Sequence, residues 1–356
     1  MHHLALAAIL LAVPQATSAK AGPVAGDKDV DQAVEAALAY LAKTQDRTDG
    51  AWRSRSNKNP AITSLSIMAF LSAGYVPGEG RYGPAIEKGI RRVLKFQQPG
   101  GLIATEGSQE MYHHGICTLM LAEVAGMTDG PLGDEVRAAL ERAVAVILRA
   151  QRKGTGAERG GWRYRVLNTG GSDISVTGWQ IMALRAAKNL GCDVPPEAIE
   201  QAIDFIRRCR KDSNGGFRYT PNDEVTVPCT GTSILALELC GKEFHRSPEV
   251  LKAGDYLLRN ENLPHWGNSH FFYGIYYGAQ ATFQLGGNYW AIYRPRMRDE
   301  LLKNQKDNGS WADGGTDAAF GPAYCTSMSV LALTVEYRLL PIYQRGDDGP
   351  ETGKSP

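Results

Sequence analysis

Apolar residues along the chain fall into two alternating kinds of helical segment. In the first kind they keep to one side of the helix, as in Ile199, Ala202, Ile203 and Ile206, which follow the spacing i, i+3, i+4 and i+7. In the second kind, as in residues 177–190, apolar side chains cover most of the circumference and charges are few. A one-faced helix belongs on the surface and a helix that is apolar on several faces is buried, so the pattern predicts outer and inner helices.

A unit of about 50 residues recurs along the chain. Each copy has a one-faced helix, a turn, and a several-faced helix that carries a hydrophobic–alanine pair. The turn is glycine-rich in most copies, as in Gly160-Gly161-Trp162, and the fifth copy keeps only Trp266-Gly267. The pairs are Met68-Ala69, Leu121-Ala122, Met182-Ala183, Leu235-Ala236, the degenerate Gln280-Ala281, and Leu331-Ala332. Self-similarity at a fixed period is typical of repeat architectures, so six copies predict six helix hairpins.

Six hairpins can close into a ring, with an inner barrel of helices inside an outer one. An open solenoid is the alternative, but it needs polar capping repeats, and neither end of the chain resembles one. We therefore predict an all-α fold, an (α/α)6 toroid over residues 30–343. Residues 344–356 are polar and contain glycine and proline, which predicts a disordered tail.

The first 19 residues are typical of a signal peptide. Leu4–Val13 is an apolar stretch too short to cross a bilayer, and Thr17-Ser18-Ala19 forms a small-residue cleavage site. The segment before the apolar stretch has no Lys or Arg, which departs from the usual signal-peptide pattern. An uncleaved anchor is the alternative. We expect a protein exported to the periplasm or the extracellular space, with no transmembrane segment in the mature chain.

Charge and cysteine content limit the partners. The chain has 39 basic and 38 acidic residues, a formal net charge of +1, which gives no electrostatic reason to expect nucleic acid or anionic membrane as a partner. Six cysteines in an exported chain could form disulfides, with Cys192 and Cys240 the best-placed pair, or could be small buried residues in a domain that needs no covalent staples. A protein partner is left unspecified.

Two turns carry a motif that resembles a known superfamily. Gln305 to Trp311 matches the Q-x3-G-x-W repeat of squalene–hopene cyclases, and Gln45 to Trp52 matches it with one extra residue. The chain thus resembles the α/α toroids of these cyclases and of protein prenyltransferase β subunits, and more closely the secreted bacterial prenyltransferase and squalene oxidase repeat proteins. The resemblance implies a toroid in which these motifs tie neighbouring helices together.

The family's acid motif is incomplete in this chain. Asp173-Ile174-Ser175-Val176-Thr177 resembles the cyclase segment D-x-D-D-T, but Ser175 replaces the aspartate that donates the proton in the family, and Val176 replaces the last aspartate. A hydroxyl of high pKa cannot protonate an alkene. Asp173 could act instead if burial raised its pKa, or it could simply cap the helix that follows.

A second segment resembles half of the prenyltransferase zinc site. Tyr112-His113-His114 with Cys117 is similar to Y-H-x-x-x-C, but the matching D-x-C half is absent. Cys117, Cys229 and Cys325 begin alternate inner helices and could converge on a soft metal site, although lone cysteines on apolar helices are usually packing residues. We predict no metal ion and no cofactor.

The starts of the inner helices and the loops before them should surround one mouth of the ring. Histidine and carboxyl groups there suit general acid–base work, and aromatic walls with a few polar groups suit an apolar or sugar-like ligand. The predicted catalytic residues are His114, Asp173, Tyr277 and Asp317. The predicted ligand-binding residues are Tyr112, Trp179, Trp266, His270, Tyr273 and Tyr276. The alternative is that the aromatic residues fill the core and His114 bonds a neighbouring loop.

Three functions remain open from the sequence. The first is a terpenoid-cyclase-like toroid that binds a small apolar molecule in a central cavity, with or without isomerase or cyclase chemistry. The second is a non-catalytic interaction scaffold, which predicts a filled axis. The third is a glycan-active, lyase-like enzyme; the near-neutral charge and the lack of an evident Arg/Lys cluster at the mouth positions argue against an anionic glycan.

Overall fold

The structure is a computed structural model that describes residues 27–344 apart from residues 56, 106, 108, 168–169 and 241. The predicted signal peptide and residues 345–356 of the predicted tail lie outside the described residues. Twelve α-helices in the described residues form six hairpins. The outer helices are α1 Lys28–Thr44, α3 Gly83–Leu94, α5 Gly130–Ala150, α7 Pro196–Arg208, α9 Pro248–Leu257 and α11 Gly287–Asn304. The inner helices are α2 Pro60–Ser72, α4 Glu110–Ala125, α6 Ile174–Asn189, α8 Val227–Cys240, α10 Phe271–Leu285 and α12 Pro322–Leu333.

The inner and outer helices differ in burial as their apolar patterns predict. All 13 residues of α2 are buried, whereas α7 buries one stripe that includes Ala198, Ala202 and Ile206. In α6, Asp173 accepts a hydrogen bond from the Val176 amide at 2.9 Å, so the helix begins three residues earlier than the predicted Thr177.

The ring closes where the last repeat meets the first. Helix α12 packs against both α1 and α2. The Ser66 and Ser327 hydroxyls lie 3.1 Å apart across this junction, and Thr334 donates to the Ser72 hydroxyl at 2.8 Å. Because each inner helix also packs against the next one along the chain, the predicted all-α (α/α)6 toroid is confirmed.

A glutamine at the end of four outer helices ties each repeat to its neighbour. In the third repeat, Gln151 Nε2 donates to the Gly160 carbonyl in its own turn (2.8 Å) and to the Ala198 carbonyl in α7 (2.7 Å). Gln45, Gln97 and Gln305 make the same two kinds of bond. Since the Gln305 bond reaches Ala33 in α1, this repeated contact also helps to close the ring. It is the structural basis of the Q-x3-G-x-W motif.

The end of the turn is held by a second repeated contact. The Trp162 indole donates to the Ile147 carbonyl (2.8 Å), and the Trp162 amide donates to the Thr177 hydroxyl (3.1 Å) on the inner helix. Trp52 and Trp311 bond equivalent threonines, Thr63 and Thr326. The turn therefore connects the end of one outer helix to the first turn of its inner helix.

Strand structure is minimal among the described residues. The strands β1 Arg53–Ser54 and β2 Asn57–Lys58 form one antiparallel pair, with Arg53 opposite Lys58. Five short 3-10 stretches complete the element list: Lys242–Phe244, Asn260–Asn262, Thr316–Phe320, Val335–Tyr337 and Pro341–Tyr343. In the part of the chain that the structure describes, no helix has the length and hydrophobicity needed to cross a bilayer.

The last described residues close the end of the inner barrel where the inner helices finish. Tyr343 hydrogen-bonds the Tyr276 hydroxyl, and its carbonyl accepts from Gln284 at 3.1 Å. The neighbouring Ile342 amide donates to the buried carboxyl of Glu123 at 3.2 Å, and burial raises the pKa of that carboxyl to about 8. These contacts place the segment Pro341–Tyr343 at the end of the barrel opposite the starts of the inner helices.

Candidate functional site

The starts of the inner helices form one mouth, and contacts between neighbouring repeats run around it. The Met111 amide at the start of α4 donates to the Tyr164 carbonyl of the next repeat (2.9 Å), and the Ile174 amide of α6 donates to the Tyr219 carbonyl (2.9 Å). Further links join Asn59 to His113, Thr232 to Tyr273, Tyr273 to Asp317, and Ser54 to Phe320. The starts of α4, α6 and α10 are thus each positioned by the loop of the next repeat.

Four half-buried tyrosines form what we call the tyrosine rim: Tyr112, Tyr164, Tyr219 and Tyr273. Tyr112 and Tyr164 stack with ring centroids 5.9 Å apart and an interplanar angle of 23°, and the hydroxyls of Tyr164 and Tyr219 hydrogen-bond each other. The Arg163 guanidinium lies 4.8 Å from the Tyr164 ring and 5.3 Å from the Tyr219 ring. Such cation–π contacts hold the rings in a defined orientation.

Asp173 lies beneath the tyrosine rim and is fully buried. Its Oδ1 accepts from the Val176 amide (2.9 Å) and from the Ser175 hydroxyl (2.5 Å), and Ser175 in turn hydrogen-bonds the Tyr112 hydroxyl. Arg163 Nη1 lies 3.5 Å from its Oδ2. Burial raises the pKa of this carboxyl, although the hydrogen bonds and Arg163 oppose the shift. The Ser175 and Tyr112 hydroxyls therefore connect the fully buried carboxyl to the mouth.

His114 occupies a position that threonine holds in other repeats. Its Nδ1 accepts from the Ile103 amide at 3.0 Å, as Thr177 accepts from the Trp162 amide, and its Nε2 donates to the Ala143 carbonyl at 2.9 Å. The ring is fully buried, and burial lowers its pKa to about 4. Backbone groups therefore bind both nitrogens of the neutral ring. This arrangement favours the alternative in which His114 has a structural role and bonds a neighbouring loop. His114 and Asp173 do not occupy equivalent positions in their repeats.

Tyr277 lies on the fifth repeat and Asp317 on the sixth. The Asp317 carboxylate caps the start of α10, where it accepts from the Tyr273 amide (2.8 Å) and the Phe272 amide (3.4 Å), and burial raises its pKa. Tyr277 is fully buried one helical turn below Tyr273, and its hydroxyl has no hydrogen-bond partner among the described residues. The structure brings neither residue into contact with His114.

The predicted ligand-binding residues are divided between three places. Tyr112 and Tyr273 belong to the tyrosine rim. Trp179 and Tyr276 are buried deeper in the barrel, where they stack at 5.6 Å and 9°. The other two residues are on the loop before α10: Trp266 packs against Phe271 at 5.0 Å, and His270 is exposed.

The sequence analysis missed three residues of the mouth, Arg163, Tyr164 and Tyr219. A signal was present, because Tyr164 and Tyr219 each follow their turn aromatic, Trp162 and Phe217, by two residues. Comparing the repeats at that position would have identified both tyrosines as neighbours of the next inner helix.

The cysteine and histidine side chains near the mouth are not arranged as a metal site. Cys117 accepts from the Ser64 hydroxyl at 3.3 Å, and Asn59 Nδ2 lies 3.1 Å from His113 Nε2. Within residues 27–344, less the undescribed positions, no group of three His, Cys, Asp or Glu side chains is placed to hold a metal ion. All six cysteines are unpaired, including Cys192 and Cys240.

The interior of the inner barrel is closely filled. An open central cavity would leave the residues that line it accessible to water, yet α2 is buried throughout. In α8 and α12 the accessible residues are confined to the helix ends. Trp179, Tyr276 and Tyr277 are among the largest fully buried side chains.

Structural comparison relates the chain to several toroids of known structure. An α-1,6-mannanase of Salegentibacter sp. HEL1_6, solved as an inactive variant with α-1,6-mannotriose, is 9% identical with a TM-score of 0.67 and covers 87% of this chain and 99% of its own. A cellobiose 2-epimerase from Bacillus thermoamylovorans is 10% identical with a TM-score of 0.64 over 87% and 99% of the two chains.

A type II terpene cyclase from Scytonema, solved with merosterolic acid A, is 15% identical with a TM-score of 0.56 and covers 88% of this chain and 98% of its own. No protein-family model matches the chain, and no curated protein sequence matches it. The comparisons establish the α/α toroid fold, which terpene cyclases and glycan-active enzymes share. The resemblance to terpenoid cyclases therefore holds at the level of the fold.

Proposed function

We propose that this protein is an exported glycan-binding toroid whose ligand lies on the tyrosine rim. The observation that carries the proposal is the stack of Tyr112 on Tyr164 beside Tyr219, partly exposed at the mouth and in contact with Arg163. Aromatic rings pack against the apolar faces of sugar rings, while phenolic hydroxyls bond the sugar hydroxyls. Export is part of the proposal and rests on the predicted signal peptide.

Burial in the barrel supports a ligand at the mouth rather than one enclosed on the axis. A terpenoid that is largely apolar needs a dry cavity of several hundred Å³. Trp179 and Tyr276 occupy the space inside the inner helices, and all of α2 is buried. An apolar ligand on the axis would have to displace these side chains or the segment Pro341–Tyr343.

Asp173 is proposed as a positioning residue in this site. Its carboxyl is fully buried, and through Ser175 it fixes the hydroxyl of Tyr112. The chain thus orients one ring of the tyrosine rim without exposing a charge to the ligand. Tyr273, bonded to Thr232 at 2.9 Å, would limit the other side of the site.

A binding assay with matched variants tests the proposal. The purified protein is titrated by calorimetry with a panel of polysaccharides, and its native mass spectrum is recorded for co-purifying molecules. Tyr164→Ala should weaken glycan binding about tenfold, because the stacked ring is lost, whereas Tyr164→Phe should retain most of it. Tyr40→Ala, a half-buried tyrosine of α1, is the control. Absence of glycan binding together with a bound isoprenoid would overturn the proposal and support the cyclase-like alternative.

A further inference from the structure

A groove on the outer ring lies between the end of α5 and the start of α7. It has a volume of about 420 Å³, and Lys153, Arg159, Gln151 and Gln201 line it together with Leu148 and Pro195. Gln151 is held in place by its bonds to the Gly160 and Ala198 carbonyls. We call this feature the cationic groove; it combines two positive charges, two amides and a short apolar wall.

The loop beside the groove concentrates positive charge. Residues 149–165 contain six basic residues and a single acidic one, Glu158. Glu158 is turned away from the groove, since its side chain lies against Gly171. Arg208 of α7 donates to the carbonyls of Ala157 (3.0 Å) and Arg159 and so fixes the loop. Lys153 and Arg159 lie in the loop that leads from α5 to the inner helix α6, so the expectation of no Arg/Lys cluster in such loops is wrong for the third repeat.

Lys153 and Arg159 make no ion pair with the described residues. This distinguishes them from Arg163, which lies beside Asp173, and from Arg207, which pairs with Glu249 at 3.1 Å. Two unpaired cations that face the same groove favour an anionic occupant, because each would gain a charge-assisted hydrogen bond.

A second groove of similar character lies one repeat earlier. It is formed between α3 and α5, has a volume of about 560 Å³, and is lined by Arg91, Lys95 and Arg142 with one acidic residue, Glu135. Two of these cations are partly engaged: Arg142 donates to the Gln97 side chain at 2.6 Å, and Arg91 pairs with Glu87 at 2.8 Å. Two successive grooves with excess positive charge suit a polymer that presents anionic groups repeatedly.

A short stretch of chain connects the cationic groove to the tyrosine rim. Tyr164 follows Arg159 by five positions, so their Cα atoms lie within about 18 Å of each other even if the chain is fully extended. We propose that the glycan bound at the tyrosine rim is an acidic polysaccharide, whose carboxylate or sulfate groups contact Lys153 and Arg159. This inference rests on the proposed function and specifies its substrate class.

The observations favour a polysaccharide over other polyanions. The chain as a whole carries a net charge of only +1, so it lacks the general positive field that proteins use to attract nucleic acids or anionic membranes. The stacked tyrosines, a few positions after Arg159 in the chain, offer the sugar rings a surface. Binding of nucleic acid or of lipid is therefore an alternative result that the experiment tests.

The experiment compares charged and uncharged forms of the same polymers. Affinity is measured by calorimetry for polygalacturonate against its methyl ester, and for dextran sulfate against dextran, which separates carboxylate from sulfate recognition. The double variant Lys153→Ala/Arg159→Ala should weaken binding of the preferred charged polymer about fivefold and leave its neutral form unchanged. The control, Arg296→Ala/Lys303→Ala on α11, makes the same charge change across the ring. Raising the salt from about 50 to about 500 mM should reduce binding of the charged form alone.

The outcomes separate this inference from the proposed function. If Tyr164→Ala weakens binding while the double variant and salt have no effect, glycan binding stands and the acidic class is wrong. If Tyr164→Ala has no effect on any polymer, the proposed function itself fails. Equal binding of single-stranded DNA or of phosphatidylserine vesicles, lost in the double variant, would show a general polyanion surface and also overturn the inference.

Discussion

Replacement of His114 tests whether this residue holds the fold or serves the mouth. In His114→Ala, the Ile103 amide and the Ala143 carbonyl both lose their partner in a fully buried place. His114→Thr is the matched control, because threonine accepts the equivalent amide bond in repeats one, three, four and six.

The expected magnitudes follow from the lost bonds. An unsatisfied buried polar group costs about 1–3 kcal/mol, so two of them and the space left by the ring should lower the free energy of unfolding by about 4 kcal/mol in His114→Ala at pH 7. His114→Thr keeps the bond to Ile103 and loses the one to Ala143, which predicts a loss of about 1–2 kcal/mol.

The pH dependence provides an independent readout. Burial lowers the pKa of folded His114 to about 4, against 6.5 for the ordinary group, so the unfolded chain binds the proton first as the pH falls. The stability present above pH 6.5 is therefore lost as the pH falls toward 4, by about 3 kcal/mol. The wild type should be more stable than His114→Thr at pH 7 and less stable at pH 4.

Urea unfolding followed by circular dichroism at pH 7, 5.5 and 4 measures these differences. The half-buried His113, whose pKa burial also lowers to about 4, is present in every variant and cancels from the comparison. If His114→Ala retained the wild-type free energy of unfolding but lost glycan binding, the structural role would be refuted and a role at the mouth supported.

Three further predictions follow from the repeats and the barrel interior. Gln151→Ala should lower the free energy of unfolding by about 2 kcal/mol, because it loses one bond to its own turn and one to the next repeat; a loss below about 0.5 kcal/mol in urea would contradict this. Burial raises the pKa of Glu123 to about 8, so this carboxyl ionises at lower pH in the unfolded chain than in the folded one. The protein should therefore lose stability as the pH rises from 4.5 to 8, and Glu123→Gln should reduce the accompanying fall in melting temperature. Tyr277→Phe should be neutral or stabilising, since its hydroxyl has no partner, whereas Tyr273→Phe should cost about 1 kcal/mol; the reverse order would be inconsistent with the structure.

Much of the architecture is encoded locally and could be predicted. The one-faced pattern of residues 199–206 and the several-faced pattern of residues 177–190 distinguish outer from inner helices, because burial on one side or on all sides selects for different side chains. The repeated turns fix the number of hairpins. Even the capping role of Asp173 was available, since a helix start needs an acceptor.

The mouth depended on contacts that the sequence does not display. The equivalence of His114 and Thr177 became visible only when both were found bonded to a turn amide, since histidine and threonine share no obvious pattern. In the same way, Tyr164 meets Tyr112 across repeats because the ring brings a loop to the preceding inner helix.

Whether the axis is open or filled was likewise decided by tertiary structure. A stripe of aromatic residues such as Trp179 and Tyr276 is compatible with a cavity wall and with a packed core, because both remove the same side chains from bulk water. The sequence determined the repeat, the two classes of helix and the closure they favour. The radius of the ring and the packing of its side chains decided where a ligand has room, because that space is set by all six repeats at once.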